Sequence, residues 1–282
     1  MEPLIDSHFH LWRVSDMREP GIVAHPRFAG EIGWQDYAAA RGEIALAGAV
    51  AVQVDQNPGD GEPEVEFFEC AAAEHPELSG IVAFAPVEGP DLVAHIDRLS
   101  RHPLVCGIRR NTQHEADDAF CRREDFIAGV RLLGRRGVIC DICARHWQLE
   151  SVIAMARACP DTTIVINHLG KPDVQGGKLD PWRENMSRLA ALPHVFVKLS
   201  VVVQMPDDNT WTESSVAPFV SHLLAEFGPE RMMWASNWPV AALVTPYGDW
   251  LAAAQSMTAH LPDAARRQIF HDTAATIYGL ER

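Results

Sequence analysis

Eight short runs of apolar residues recur along the chain, each with the length of a β-strand. They are nearly continuous in apolar residues, which is typical of parallel strands buried on both faces. The predicted strands cover residues 4–9, 49–54, 80–84, 104–108, 138–143, 162–167, 195–199 and 231–234. Helical patterns separate most of them and also end the chain, at residues 62–74, 91–99, 125–133, 148–158, 181–191, 216–227, 249–260, 263–270 and 273–278.

The regular alternation of strands and helices predicts an α/β protein with a parallel sheet, and eight such units predict a closed barrel. A chain of 282 residues suits one such barrel, so a single domain over residues 1–282 is expected. An open, doubly wound sheet is the alternative fold, but the first strand is not followed by Gly-x-Gly-x-x-Gly, and no P-loop is present. Residues 12–36 lack periodicity and predict a long loop that forms a lid or a wall of the site.

The first predicted strand contains Ile5-Asp6-Ser7-His8-Phe9-His10. Because alternate side chains of a strand point to the same side, His8 and His10 are expected to lie together. Two adjacent imidazoles can share one divalent metal or polarise one carbonyl group. The alternative is a chance surface pair, since the chain has 13 histidines.

Polar residues also end the other predicted strands. In a barrel of parallel strands all carboxyl ends open on one mouth, where the active sites of such barrels lie. The polar residues expected at this mouth are Asp6, His8, His10, Gln53, Arg109, Arg110, Asp141, Arg145, His168, Lys198, Ser200 and Asn237. The pattern therefore predicts an active site at this end of the barrel.

The chain has 24 basic and 38 acidic residues, and its net charge of −14 argues against nucleic acid or an anionic membrane as the main partner. No apolar run reaches the roughly 18 residues of a membrane span, and no signal-peptide pattern is present, so a cytoplasmic location is expected. Six dispersed cysteines fit a reducing compartment. Cys140 and Cys143 have C-x-x-C spacing, but their apolar context predicts buried strand residues and not a zinc or redox site.

Several motifs resemble those of the amidohydrolase superfamily, specifically its branch of sugar-lactone and pyrone-dicarboxylate lactonases. The motifs are Ile5-Asp-Ser-His8-Phe-His10-Leu-Trp12, Gly107-Ile-Arg109, Asn167-His168-Leu-Gly-Lys171-Pro172, Val197-Lys-Leu-Ser200 and Arg231-Met-Met-Trp-Ala-Ser-Asn237-Trp-Pro239. They span nearly the whole chain, and L-fuconolactone hydrolases are the named relatives that they resemble most.

This resemblance implies a distorted (β/α)8 TIM barrel that opens the ring ester of a small-molecule sugar-acid lactone by attack of water, as in carbohydrate catabolism. It assigns His8, His10 and His168 as ligands of one divalent metal, zinc or manganese. In members of the branch that work without a metal, the same histidines polarise the carbonyl group. A decarboxylase of the same superfamily and a lactone-binding protein without turnover are the alternative functions.

Position 237 departs from the family pattern. The family has an aspartate there, which takes a proton from the attacking water and passes it to the leaving alkoxide, whereas this chain has Asn237. An amide has no basic site near neutral pH, and the loss of a general base typically slows a reaction about 10²–10⁴-fold. The chain as written is therefore expected to be nearly inactive. Either the aspartate was replaced deliberately to retain an intact lactone, or the chain naturally uses another base or none; the otherwise intact motif favours replacement.

Substrate recognition is assigned to Arg109, Arg110, Arg145 and Lys171, because guanidinium groups bind carboxylates and polyhydroxylated ligands through paired hydrogen bonds. For each of these cations, a surface charge or an ion pair with one of the 38 acidic residues is the alternative. Trp238 is expected to stack on a sugar-like ring, with ordinary packing as the alternative. The sequence leaves the particular lactone and the oligomeric state open.

Overall fold

The eight strands of this protein form one parallel sheet in chain order, as seen in a computed structural model that describes residues 3–13, 26–28, 30–54, 61–201 and 211–280. The strands are β1 (Leu4–Phe9), β2 (Leu46–Val52), β3 (Leu78–Ala83), β4 (Val105–Asn111), β5 (Ile139–Cys143), β6 (Ile164–Ile166), β7 (Val195–Leu199) and β8 (Met232–Trp234). The sheet closes because the backbone N–H of His10 donates to the Trp238 carbonyl at 2.7 Å and that of Asn237 donates to the His8 carbonyl at 2.8 Å. This architecture confirms the predicted (β/α)8 barrel.

Helices pack around the barrel, most of them on its outer side. They are α1 (Trp34–Arg41), α2 (Glu62–Glu74), α3 (Leu92–Leu99), α4 (Glu124–Arg135), α5 (Leu149–Ala158), α6 (Trp182–Ala190), α7 (Glu213–Phe227), α8 (Tyr247–Met257), α9 (Asp263–Arg267) and α10 (Thr273–Tyr278). The sequence of α4 shows why they pack there, since Phe126, Val130 and Leu133 recur at helical spacing and are all buried. Within the described ranges, none of the helices has the length and apolar character needed to cross a membrane.

Two of the apolar clusters among the described residues form the main cores of the fold. The larger core lies between the sheet and the surrounding helices, and the smaller one fills the barrel interior. The interior core consists of Ile5, Val50, Val52, Val82, Ile139, Val165, Met233, Ala274, Ala275 and Tyr278. Because three of these residues belong to α10, the last helix closes the barrel at the amino ends of the strands. The two cysteines of the C-x-x-C motif lie buried in β5, as predicted.

Two of the differences between the structure and the sequence prediction concern α1 and β4. No helix was expected between the first two strands, yet α1 forms there, and its signal is weak because only Trp34 and Tyr37 of its eight residues are buried. Strand β4 continues to Asn111 because its backbone stays in register with β5 as far as that residue. Arg109 lies opposite Asp141 in the ladder, and Asn111 lies opposite Cys143. Residues 14–25 and 29 of the predicted loop lie outside the described residues.

Asp6 does not lie at the barrel mouth, contrary to the expectation from strict alternation. The register between β1 and β2 shifts between Asp6 and Phe9, so the Asp6 carboxylate points toward the helices. It accepts hydrogen bonds from the Tyr37 hydroxyl at 2.9 Å, the Tyr247 hydroxyl at 3.3 Å and the Ser236 backbone N–H at 2.9 Å. This fully buried carboxylate therefore ties β1 to α1, α8 and the segment after β8.

We expect Tyr37→Phe to lower the free energy of unfolding by about 1–3 kcal/mol, because the buried Asp6 carboxylate would lose a hydrogen-bond donor. Tyr247→Phe is the matched control: it removes the longer of the two tyrosine contacts and is expected to cost less. Denaturant titration followed by circular dichroism measures both variants. If Tyr37→Phe is as stable as the wild type, the hydrogen bond from Tyr37 to Asp6 does not contribute to the stability of the fold.

Candidate active site

Three histidines meet at the carboxyl ends of β1 and β6. The Nε2 atoms of His8 and His10 are 3.1 Å apart, as expected for side chains on the same side of a strand. The ring of His168 lies 4.6 Å from that of His8 between centroids, and its Nδ1 is 2.7 Å from the Ser200 hydroxyl. All three histidines are at most 4% exposed. The structure therefore brings together the three imidazoles that the sequence motifs single out.

The hydrogen-bond partners of His8 and His10 define their tautomers. His10 Nδ1 lies 2.6 Å from the Val52 carbonyl, so this nitrogen carries the hydrogen and Nε2 keeps its lone pair. His8 Nδ1 lies 3.3 Å from the Lys198 ammonium, which can only donate. The hydrogen of a neutral His8 therefore sits on Nε2, from which it donates to His10.

An ion pair lies in the barrel interior between the apolar core and the histidines. Lys198 Nζ lies 2.6 Å from Asp141 Oδ2, and neither side chain is exposed. Asp141 also accepts hydrogen bonds from Asn167 Nδ2 at 2.9 Å and from the Tyr278 hydroxyl at 2.8 Å. Burial lowers the pKa of Lys198, and the Asp141 carboxylate opposes that fall. An unpaired charge here would be costly, so the pair holds Lys198 where it contacts His8.

The three imidazoles are neutral near neutral pH. Burial disfavours their charged forms and lowers the pKa of His10 to about 3, and the Arg109 guanidinium acts in the same direction. Burial also holds the pKa values of His8 and His168 well below the ordinary range, and nearby cations add to both shifts. Each neutral ring has one N–H donor and one lone pair, and in all three rings Nδ1 already contacts a protein partner, which leaves Nε2 for a ligand.

Arg109 adds a fixed donor beside the histidines. One of its terminal nitrogens donates to the Gln53 carbonyl, while the other lies 3.4 Å from His8 Nε2. The Gln53 amide in turn donates to the Arg109 carbonyl at 3.2 Å. Arg109 is 4% exposed, and its Nε has no hydrogen-bond partner among the residues that the structure describes.

Asn237 follows β8 and stands next to His10. Its φ of 54° lies in the left-handed region, which asparagine adopts more readily than most residues. Its Nδ2 donates to the Val201 carbonyl at 3.3 Å, and its side-chain hydrogen bond to His10 opposes the fall in the pKa of that imidazole. The side chain predicted at the base position is therefore beside the histidines, but it is an amide.

Two other cations predicted to bind substrate lie on loops at the same end of the barrel. Arg145 follows β5 and donates from Nε to the Gln113 carbonyl at 3.0 Å. Lys171 follows β6, and its ammonium donates to the side-chain oxygen of Gln113. Gln113 thus links the loops after β4, β5 and β6. No motif pointed to it, because it lies in a loop without periodicity.

Arg110 and Trp238, which were also predicted to bind substrate, occupy other places. Arg110 lies on the outer face of β4, because side chains alternate along a strand, and it pairs there with Glu88 at 2.8 Å and Glu115 at 2.6 Å. Trp238 is 6% exposed and packs against Tyr37, with 5.5 Å between ring centroids. Arg110 therefore forms ion pairs, and Trp238 packs in the core.

The donor atoms show whether the site suits a divalent metal. His10 suits a metal, because its Nδ1–H donates to the Val52 carbonyl and its Nε2 carries a lone pair and no hydrogen. His8 presents Nε2–H instead, since Lys198 donates to its Nδ1, and Asn237 supplies an amide in place of a carboxylate. In the part of the chain that the structure describes, no group of three or more His, Cys, Asp or Glu side chains is placed to hold a metal ion. The residues as arranged do not fit such a site.

The sequence profile of the amidohydrolase family matches residues 5–280. The match covers nearly the whole chain and therefore includes β1, β6 and the segment after β8, from which the site is built. The chain belongs to the amidohydrolase family.

Several known proteins are similar to this chain along nearly their whole length. An L-fucono-1,5-lactonase from Burkholderia ambifaria is 28% identical over 99% of this chain and 96% of its own length. An uncharacterized protein from Sinorhizobium fredii is 30% identical, with 98% of each chain covered. A crystal structure of an amidohydrolase from Burkholderia multivorans with bound zinc superimposes with a TM-score of 0.87 at 28% identity, covering 98% of this chain and 99% of that one.

We expect Lys198→Met to destabilise the fold by about 3–5 kcal/mol, because it leaves the Asp141 carboxylate buried without its counter-charge. Asp141→Asn leaves the Lys198 ammonium buried without a counter-charge and is expected to lower the free energy of unfolding by a similar amount. The double variant removes both charges, so its loss should be smaller than the sum of the two single losses. Guanidinium titration of all three variants measures the coupling, and strictly additive losses would show that the two charges do not depend on each other.

Proposed function

We propose that this chain binds a sugar-acid lactone at the mouth of the barrel and hydrolyses its ring ester slowly. The observation that carries the proposal is the pair of Nε2 atoms of His8 and His10, 3.1 Å apart, with Arg109 and Asn237 beside them. The lactonase named among the relatives supports the choice of a lactone over other esters.

The lactone carbonyl oxygen would accept hydrogen bonds from His8 Nε2–H and from the Arg109 guanidinium. Both donors are oriented before a ligand arrives, His8 by Lys198 and Arg109 by the Gln53 carbonyl. Attack of water on the carbonyl carbon produces a tetrahedral oxyanion, which a fixed donor in a buried site typically stabilises by about 3 kcal/mol. Cleavage of the ring C–O bond then yields a carboxylate and a free hydroxyl group.

Proton transfer is the step that these residues support poorly. The attacking water must lose a proton, and the leaving alkoxide must gain one. The Asn237 amide accepts no proton near neutral pH, and burial lowers the pKa of His10 to about 3, which makes that imidazole a weak base. The expected turnover is therefore about 10²–10⁴-fold below that of a site with a well-placed base.

A lactone-binding protein without turnover is the second candidate, and one observation favours it: the amide at position 237 stands next to donors that suit a carbonyl oxygen. The two candidates predict the same ligand and differ in whether restoring a carboxylate produces hydrolysis.

The predicted divalent metal is tested separately from the reaction. The zinc bound to the Burkholderia multivorans amidohydrolase supports zinc over manganese as the metal to look for first. Emission spectroscopy on the purified protein measures both elements. One equivalent of either would contradict the inference from donor geometry that His8 presents a hydrogen on Nε2.

We expect Asn237→Asp to raise kcat for lactone hydrolysis about 10²–10⁴-fold, because the carboxylate would accept a proton from the attacking water. The reason holds whether Asn237 was introduced deliberately or is the natural residue. Acid release from a panel of aldonolactones, followed with a pH indicator, measures the effect.

The matched control is Asn185→Asp, the same chemical change at a buried position on α6. It should leave the rate of hydrolysis unchanged. If Asn237→Asp hydrolyses no lactone in the panel, the catalytic proposal is contradicted. If the parent chain and Asn237→Asp both bind a lactone tightly and leave it uncleaved, the second candidate is established.

A further inference from the structure

Three cations converge at the mouth of the barrel: Arg109 at the end of β4, Arg145 after β5 and Lys171 after β6. We call them the cationic rim. Gln113 connects two of them, since it accepts a hydrogen bond from Arg145 at its carbonyl and from Lys171 at its side-chain oxygen. Lys171 also follows His168 by three residues, and its backbone N–H donates to the His168 carbonyl at 2.7 Å. The rim therefore borders the histidine site directly.

The partners of the cationic rim are all neutral among the residues that the structure describes. Arg109 donates to the Gln53 carbonyl, while Arg145 and Lys171 donate to oxygens of Gln113. None of the ion pairs within the described ranges includes a rim residue. Arg109 is also only 4% exposed, and its Nε has no hydrogen-bond partner among the described residues.

The rim has no carboxylate partner among the described residues, although the chain has 38 acidic residues for 24 basic ones. Cations elsewhere on the molecule pair with carboxylates, as Arg98 does with Glu62 at 3.2 Å and Arg136 with Asp97 at 2.8 Å. Even Arg110, the neighbour of Arg109 in sequence, pairs with two glutamates on the opposite face of β4. Within the part of the chain that the structure describes, the positive charge of the rim is therefore not paired with a carboxylate.

The three charges also act on one another. Burial lowers the pKa of Lys171, and Arg145 and Arg109 lower it further by repulsion. A bound anion would relieve this repulsion, whereas a neutral polyol would leave it in place. Guanidinium groups bind a carboxylate through parallel hydrogen bonds, and Lys171 adds a point charge next to them.

We propose that the cationic rim binds a free carboxylate of the substrate, so that the preferred lactone is an anionic one, such as the monolactone of a sugar diacid. This inference rests on the proposed lactone function and narrows its substrate class. The carboxylate contacts Arg145 and Lys171 at the loops after β5 and β6, while Arg109 donates to the ring ester near His8 and adds its positive charge to the rim.

The test uses two lactones that differ only in the group of interest. D-Glucaro-1,4-lactone and D-glucono-1,4-lactone share the ring and its hydroxyl groups, and the first carries a carboxylate where the second has a hydroxymethyl group. Calorimetric titration of the chain with each, repeated with the galacto and manno pairs, should show at least about tenfold tighter binding of the carboxylate member in one series. The preference should shrink as sodium chloride is added.

Variants of the rim identify the residues responsible. Lys171→Met and Arg145→Met should each reduce the preference about two- to fivefold, whereas Lys171→Arg, which keeps the charge, should retain it. Lys178→Met is the matched control, because it makes the same change at an exposed position a few residues along the same loop. Circular dichroism verifies that each variant folds like the parent.

Equal or tighter binding of the neutral lactones, or an unchanged preference in both methionine variants of the rim, would overturn the inference. In that case hydrolysis of a neutral lactone by Asn237→Asp would still support the proposed function. Absence of binding by every lactone of the three series would overturn both proposals together.

Discussion

The ion pair between Lys198 and Asp141 inside the barrel is the interaction on which the site depends. A lysine without solvent contact needs an opposite charge within reach, and the two side chains are 2.6 Å apart with no exposure. Below the pair, the Tyr278 hydroxyl of the last helix donates to Asp141. Above it, Lys198 donates to His8 and sets the tautomer of that imidazole. The pair therefore links the apolar floor of the barrel to the histidines at its mouth.

From floor to mouth the barrel interior changes from apolar side chains to an ion pair, then to neutral imidazoles and finally to the cationic rim. This order supplies hydrogen-bond donors and positive charge at the place where a ligand enters. It supplies few proton acceptors, because His10 is a weak base and Asn237 is an amide. The arrangement suits the binding of an ester carbonyl and a negative charge better than rapid transfer of a proton.

Much of the fold and part of the site were predictable from local patterns. The apolar runs located all eight strands, and the spacing of His8 and His10 correctly placed both rings on one side of β1. The same alternation misplaced Asp6, because a register shift in β1 turns its carboxylate toward α1 and α8. Helix α1 was missed because only two of its eight residues are buried, which leaves almost no amphipathic pattern to detect.

The sequence by itself determined the order of strands and helices and the residues that end each strand, because both depend on the backbone period over a few neighbouring positions. Only the tertiary structure decided which of these residues meet. Lys198 and Asp141 are 57 positions apart, Tyr278 and Asp141 are 137 apart, and Lys171 and Gln113 are 58 apart. Such pairs form only when the sheet has closed and its register is set, and no local pattern encodes a contact between segments that closure alone brings together.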